Sequence, residues 1–321
     1  MNRLAVVLAL CLSLWRGAAA AAPPPPAVVA SIFPVHALVA AVMKGVAEPA
    51  LLLKGGGSPH TATLRPSDAA ALQEADVVFW IGPEMETFLT RPLRTLPARA
   101  RTVPLVDAPG VTLLPSRTSG AWNGQAAGAL PDHDADDHDD HEGHDDHEHG
   151  EHDMHIWLDP GNAMAMTDAI AVNLAQVDPA RAAVYAANAA DLHQRLEALD
   201  AELRTSLAPV ADRPYIVFHD AYHYFEARYG LRPAGAITIS PDRAPGARTL
   251  AEIRNAISAT GAVCIFREPQ FEPQIVSTVA AGMPVRVAVI DPLGTDVAPG
   301  PDAYFTLMRR LARSLRDCLD G

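Results

Sequence analysis

The stretch from Pro131 to Trp157 carries most of the side chains in this sequence that could bind a metal ion. It holds eight of the thirteen histidines and twelve of the thirty-eight acids, with no lysine or arginine. Imidazole nitrogen is the commonest protein ligand for transition metals, and neighbouring carboxylates raise the local cation concentration. Acids alone would indicate a solvated loop, but solubility does not require a histidine at every second to fifth position. We therefore predict a metal-collecting segment, with auxiliary ligands His133, His138, His141, His144, His147, His149 and His152.

Four metal-capable residues, one of them within this stretch, follow predicted strands. They are His60 after the second strand, His155 after the first lobe's last strand and the polar insertion that follows it, His219 directly after Tyr215 to Phe218, and Asp291 directly after Val285 to Ile290. Ligands of parallel sheets collect beyond the carboxyl ends of the strands, so we expect these four side chains to meet in a cleft. Three neutral imidazoles and one carboxylate suit tetrahedral Zn²⁺, whereas Mn²⁺ favours more oxygen ligands.

Other polar residues near these positions are weaker candidates. His223 stands four residues after His219, a spacing that can chelate a metal on a helix, but His219 is predicted to cap that helix and to point elsewhere. Glu84, Glu86 and Glu268 could accept hydrogen bonds from metal ligands, and solvation of loops explains these acids equally well.

Short β-branched runs alternate with helical stretches along the chain. The runs are Val28 to Ile32, Ala50 to Leu53, Asp76 to Ile81, Thr102 to Val106, Tyr215 to Phe218, Ala236 to Ile239, Ala262 to Phe266 and Val285 to Ile290. This alternation predicts an α/β protein with two lobes, each with a four-stranded, mostly parallel sheet flanked by helices. Residues 115–153, here called the His/Asp-rich segment, are polar, and we expect no fixed structure there.

One long helix is predicted between the two lobes. Asp178 and Pro179 form a helix start, five leucines follow at spacings of three and four from Leu192 to Leu207, and Pro209 ends the pattern. The helix would cover 179–208 and join an N-terminal lobe, 23–178, to a C-terminal lobe, 209–321. A coiled-coil dimer is the alternative explanation of the leucines. A single stripe with alanine-rich flanks favours packing within the chain, and we expect a monomer.

Composition restricts the location and the partners of the protein. Residues 1–22 have the basic start, apolar middle and small-residue exit of a Sec signal peptide, which predicts export to the periplasm. The net charge of −13 is concentrated in the His/Asp-rich segment, and the absence of a basic patch argues against nucleic acid as a partner. Cys264 and Cys318 remain after the signal peptide is removed and suggest a disulfide, with two buried free thiols as the alternative.

A set of motifs spread over nearly the whole mature chain carries a family resemblance. The motifs are Ser58-Pro59-His60, Leu64 to Asp68, Ile81 to Glu86, Met154 to Pro160, Phe218 to Tyr222, Arg267 to Phe271 and Asp291 to Gly294. They resemble those of the zinc-binding receptors of ABC uptake transporters, in the metal-binding cluster of solute-binding proteins.

The resemblance implies zinc ligands at His60, His155 and His219, and a carboxylate ligand at Asp291. It also implies a Cys264–Cys318 disulfide and an ABC permease, with its cytoplasmic ATPase, as the partner. One departure concerns the fourth ligand: some members have Glu directly before the first histidine, where this chain has Pro59.

These observations predict a periplasmic receptor, rather than an enzyme, that captures Zn²⁺ in the interlobe cleft and delivers it to the permease. A secreted zinc hydrolase is one alternative, with Asp291 or Glu268 as general base, although the chain has no His-Glu-x-x-His run. A periplasmic metal buffer is another. It would act through the His/Asp-rich segment alone, and no tight site would survive deletion of that segment.

Overall fold

The structure is a computed structural model that describes residues 23–96, 99–117, 121–122, 150–239, 241 and 245–321. The predicted signal peptide lies outside the described residues. So does most of the His/Asp-rich segment, including His133, His138, His141, His144, His147 and His149.

Two parallel sheets of four strands each form the framework of the protein. The first contains β1 (Val28–Ala30), β2 (Ala50–Leu51), β3 (Val77–Trp80) and β4 (Arg101–Pro104) in the order β2-β1-β3-β4. The second contains β5 (Tyr215–His219), β6 (Pro233–Thr238), β7 (Cys264–Arg267) and β8 (Arg286–Val289) in the order β6-β5-β7-β8. All pairings among these strands are parallel, which confirms the predicted α/β fold.

Helices cover both faces of the sheets. They are α1 (Phe33–Val42), α2 (Pro66–Glu74), α3 (Thr87–Thr95), α4 (Pro160–Val177), α5 (Ala182–Leu207), α6 (His223–Tyr229), α7 (Ala247–Thr260), α8 (Gln274–Ala280) and α9 (Ala303–Asp320). The central strands β3 and β5 are buried along their whole length. Their apolar sequences fit this position, because a parallel sheet covered on both faces offers no solvated side to polar residues.

The long helix is present where the leucine pattern predicts it. α5 has 26 residues, and short 3₁₀ turns at Pro179–Arg181 and Ala208–Val210 extend it at both ends. Its leucine stripe is buried and packs against α1, α4 and α9 of the same chain. The stripe therefore serves the core of this protein.

Packing also connects the two sheets directly. One buried cluster includes Phe79 of β3, Val217 of β5, the α5 leucines and the apolar face of α9. α9 follows the second sheet in the chain but packs on α1 of the first half as well as on α5. Movement between the two halves must therefore act against a shared core, in addition to the stiffness of one helix.

A disulfide joins Cys264, at the start of β7, to Cys318, near the end of α9, with their Cα atoms 6.2 Å apart. This confirms the predicted pairing. None of the helices in the described part of the chain combines the length and the apolarity needed to cross a membrane.

Candidate metal centre

Three of the four predicted ligands converge between the two sheets. His60 lies in the loop after β2, His155 directly precedes the short 3₁₀ turn Ile156–Leu158, and His219 ends β5. Their ligand nitrogens all lie within 4.8 Å of one another. Within the described residues, they form the one group of three or more histidine, cysteine or acidic side chains close enough to hold an ion together.

Two carboxylates orient His155 and His219. The Nδ1 atom of His155 lies 2.7 Å from Oδ1 of Asp153, and Nδ1 of His219 lies 2.6 Å from Oε1 of Glu268. An ionised carboxylate only accepts hydrogen bonds, so in the neutral ring each Nδ1 carries the proton and each Nε2 keeps a free lone pair. Carboxylates commonly orient metal-binding histidines in this way.

The two Nε2 atoms face each other at 3.4 Å. With both protons on Nδ1, neither Nε2 can donate to the other. Two nitrogens bound to one tetrahedral Zn²⁺ at about 2.0–2.1 Å would lie about 3.3–3.4 Å apart. The separation in the structure matches the edge of such a tetrahedron.

His60 provides a third free nitrogen. Its ring centre lies 5.5 Å from that of His155 and 5.8 Å from that of His219. Its Nε2 is buried and has no hydrogen-bond partner among the described residues. Loss of solvation, together with the two neighbouring imidazoles, lowers the pKa of His60 well below its usual 6.5. His60 is therefore held in the neutral form that binds a metal.

The loop that carries His60 is positioned by contact with the other half of the protein. Gly56 has a positive φ of 76°, and a Cβ atom there would lie 2.6 Å from Cγ2 of Thr295, in the loop after β8. Glycine adopts this left-handed conformation without strain, and its lack of a Cβ atom leaves room for Thr295. Downstream, the backbone N–H of His60 donates to Oγ of Ser58 at 3.3 Å.

The structure does not bring Asp291, the predicted fourth ligand, into the three-histidine group. Its Oδ1 accepts from Nε2 of Gln270 at 2.6 Å and from the backbone of Leu293 at 3.0 Å, while Oδ2 accepts from the backbone of Thr295 at 2.6 Å. These bonds hold the loop after β8 together. The assignment of Asp291 as a metal ligand remains a prediction.

The indole of Trp157 ties the His155 region to the same loop. Its Nε1 donates to the carbonyl of Pro292 at 2.8 Å, and its ring centre lies 5.2 Å from that of His155. The hydroxyl of Tyr304 donates to the carbonyl of Trp157 at 2.7 Å. His155 is thereby fixed by contacts to residues more than 130 positions further along the chain.

The weaker candidates from the sequence, Glu268, Glu86 and His223, have different contacts in the structure. Glu268 accepts a hydrogen bond from a predicted ligand, as considered from the sequence. Glu86 instead accepts bonds from Ser31 and from the backbone of Ile81 and Gly82, and it does not belong to the three-histidine group. His223 is buried but lies outside the three-histidine group, and burial lowers its pKa to about 4.

Sequence reasoning assigned Asp153 no role in orienting a ligand. The Asp-x-His spacing that places this carboxylate beside His155 was hidden among the other acids of the His/Asp-rich segment.

The family of this chain can be established by comparison. A family model described as "Zinc-uptake complex component A periplasmic" matches residues 28–318. The chain belongs to this family. A relative from Brucella abortus (strain 2308), named high-affinity zinc uptake system protein ZnuA, is 47% identical over 304 residues, which cover 91% of each chain. The resemblance drawn from the sequence motifs is confirmed.

Two solved structures share the fold. A crystal structure of ZnuA matches with a TM-score of 0.72 at 24% identity, covering 92% of this chain and 99% of that chain. The periplasmic zinc binding protein TroA from Treponema pallidum matches with a TM-score of 0.74 at 20% identity, covering 92% and 99%. At these identities, the two matches support the architecture of paired parallel sheets.

Proposed function

We propose that this protein is a periplasmic receptor that captures Zn²⁺ and delivers it to an ABC permease for high-affinity zinc import. The relatives are named as zinc uptake proteins, and the family is described as a component of a zinc-uptake complex. The observation that carries the proposal is the facing pair of Nε2 atoms of His155 and His219, each histidine oriented by a carboxylate, with His60 beside them.

Capture begins at a cavity of about 250 Å³ that His60 and His155 line together with Glu84, His152 and Asp220. His152 belongs to the His/Asp-rich segment, so ions held weakly by that segment would be released at the mouth of the cleft. The three neutral imidazoles then replace water around the ion. Asp291 is the proposed fourth ligand, and its carboxylate would exchange its bond with Gln270 for the ion.

The receptor requires no catalytic group, and the two acids that the hydrolase alternative would use are engaged. Glu268 accepts from His219, and Asp291, once it exchanges its bond with Gln270 for the ion, would act as a ligand rather than as a base. A general base needs a free carboxylate near a metal-bound water. These contacts favour binding and release of the ion over hydrolysis.

A zinc titration against a calibrated chelator tests the proposal. It should be run on the mature protein and on a variant in which residues 123–149 are replaced by a short Gly/Ser linker. We expect one tight equivalent in both, and loss of that equivalent in His60→Ala, His155→Ala and His219→Ala. His193→Ala, whose ring lies beside Asp168 of α4 and outside the three-histidine group, is the matched control and should retain it.

Other results would select the alternatives. Absence of a tight equivalent after replacement of 123–149 would favour the metal buffer. Sustained zinc-dependent turnover of esters or phosphates would favour the hydrolase. Asp291→Asn tests the fourth ligand separately, because the three-histidine site would remain intact while the affinity falls.

A further inference from the structure

The two described ends of the His/Asp-rich segment lie side by side next to the metal centre. We call residues 111–117 and 121–122 the outgoing limb and residues 150–153 the return limb. Pro115 pairs with His152 in an antiparallel bridge, the backbone of Ser116 donates to Glu151 at 3.1 Å, and the backbone of Asp153 donates to Leu114 at 2.9 Å. The return limb leads directly to His155.

The outgoing limb crosses from one half of the protein to the other. Near its start, the backbone of Thr112 exchanges hydrogen bonds of 2.8 and 3.0 Å with the side chain of Asn162 on α4. At its far end, the backbone of Trp122 donates to Ala234 at 3.0 Å, and Ala121 bridges Gly235. Both partners belong to β6, the edge strand of the second sheet.

Arg117 anchors this limb to the residues that follow His219. Its Nη1 donates to Oδ1 of Asp220 and its Nη2 donates to Oε2 of Glu226, both at 2.8 Å. The Arg117 side chain is 14% exposed, and those of Asp220 and Glu226 are 6% and 1% exposed. The guanidinium carbon also lies 4.1 Å from the ring centre of Trp122.

A tyrosine on α6 joins both limbs at the same place. The hydroxyl of Tyr224 accepts from the backbone of Leu114 at 3.0 Å and donates to the carbonyl of Asp153 at 2.6 Å. The side chain of Asp153 in turn holds Nδ1 of His155. The outgoing limb is therefore bonded both to the residues that hold His155 and to Asp220, the residue that follows His219.

We propose that Arg117 is a positioning residue that sets the spacing between His155 and His219 by clamping the outgoing limb to Asp220 and Glu226. The inference rests on the proposed function, because it takes the three histidines as the zinc site. Metal sites require their ligands to be held to within about 0.5 Å by supporting residues. Two buried charge-assisted bonds from one rigid guanidinium can provide such support.

The direction of the change in zinc affinity distinguishes a positioning role of Arg117 from an effect of its charge alone. A positive charge near the site repels Zn²⁺, and its removal would lessen that repulsion. Arg117 acting only through its charge would thus make the variant bind zinc more tightly. Arg117 acting by position makes the variant bind zinc more weakly and release it faster.

The test compares Arg117→Met and Arg117→Lys with Arg228→Met in the full mature protein. Arg228 is a matched control, because it pairs with Asp200 at 2.9 Å and with Asp159 at 3.3 Å but lies at the opposite end of α6 from His219. The readouts are the zinc Kd, the zinc release rate into excess chelator, the visible spectrum of the Co²⁺-loaded protein, and the thermal unfolding of the metal-free protein.

We expect Arg117→Met to raise the Kd about 10–100-fold, the range found when groups that orient metal ligands are removed, mainly through faster release. The Co²⁺ bands should change in shape, and Lys should restore part of the affinity. Arg228→Met should lower the unfolding temperature but leave the Kd and the Co²⁺ bands unchanged.

Unchanged or tighter zinc binding in Arg117→Met would overturn the inference, as would equal losses in Arg117→Met and Arg228→Met. If Arg117→Met does not fold, Glu226→Gln takes its place, since it weakens the anchor and keeps the bond to Asp220. A normal release rate in Glu226→Gln would then contradict the positioning role. Failure of the wild-type protein to bind zinc through His219 would instead refute the proposed function itself.

Discussion

His155 and His219 point their Nε2 atoms at each other across 3.4 Å, while each Nδ1 atom faces a carboxylate. Two facing lone pairs repel, so this arrangement must be held by surrounding contacts. Asp153 and Glu268 fix the Nδ1 atoms, and Trp157 fixes the backbone region of His155 through Pro292. We infer that the arrangement is preorganised for a cation, which would replace that repulsion with two metal–nitrogen bonds.

The first prediction concerns the orienting carboxylates. Asp153→Asn and Glu268→Gln should each weaken zinc binding about 10–100-fold, because a neutral acceptor holds Nδ1–H less firmly and leaves Nε2 less basic. Competition with a calibrated chelator measures the change. Glu84→Gln is the control, since Glu84 lines the adjoining cavity without orienting a histidine. Equal affinities for all three variants would remove the orienting role.

The sequence was sufficient for the architecture and for the convergence of the histidines. Short apolar runs in βαβ alternation predict parallel sheets, and residues at the carboxyl ends of such strands must gather at one edge. His219 is the clearest case, because it ends β5 itself. The leucine stripe likewise predicted the long helix, and the structure shows the stripe buried against helices of the same chain.

The sequence could not show which hydrogen-bond partners the individual acids have. Asp153 is one of twelve acids in its region, and only the fold shows that it faces Nδ1 of His155. Asp291 follows a strand, as a ligand should, yet its two oxygens are occupied by Gln270 and by the loop backbone. Both outcomes depend on contacts between distant or irregular segments, for which strand and helix periodicity carries no signal.

The second prediction concerns the pH dependence of stability through Glu86. Burial raises the pKa of this carboxyl from its ordinary 4.5 to about 7, against the hydrogen bonds that favour its ionised form. The folded state therefore holds a proton more tightly than the unfolded state. The resulting stabilisation is fully present below about pH 4.5 and is lost as the pH rises through about 7.

Glu86→Gln removes the titrating carboxyl and therefore its contribution to the pH dependence of the unfolding free energy. The difference in unfolding free energy between wild type and variant should change by on the order of 2–3 kcal/mol between pH 4.5 and 8. Urea unfolding of the metal-free protein at several pH values measures it, with Glu84→Gln as the exposed control. Parallel pH profiles for wild type and Glu86→Gln would show that Glu86 titrates normally.

The third prediction concerns the disulfide. Cys264 and Cys318 are 54 residues apart, and closing a loop of that size stabilises a folded protein by about 4 kcal/mol in the chain-entropy model. Reduction, or the Cys264→Ser/Cys318→Ser double variant, should therefore lower the unfolding temperature markedly. The zinc Kd of the molecules that remain folded should be nearly unchanged, because Cys264 begins β7 and Glu268 follows its other end. A large loss of affinity without a loss of stability would contradict this separation.

The fourth prediction concerns the contact between Gly56 and Thr295, which joins the His60 loop to the loop after β8. Gly55 and Gly56 both have φ of 76°, so alanine should cost each about 1 kcal/mol or more in backbone strain. They differ in their surroundings. A Cβ at Gly56 meets the Thr295 methyl at 2.6 Å, whereas no described atom lies within 4 Å of a Cβ at Gly55.

Gly56→Ala should therefore weaken zinc binding more than Gly55→Ala, because only the former pushes the His60 loop away from the second half of the protein. Thr295→Ser removes the methyl and keeps the hydroxyl that accepts from Gln270. Combining Thr295→Ser with Gly56→Ala should recover zinc affinity, whereas combining it with Gly55→Ala should have little effect. The zinc Kd of the two single variants and of the two double variants is measured by competition with a chelator. Equal losses in both single variants, without recovery by Thr295→Ser, would mean that the contact does not position His60.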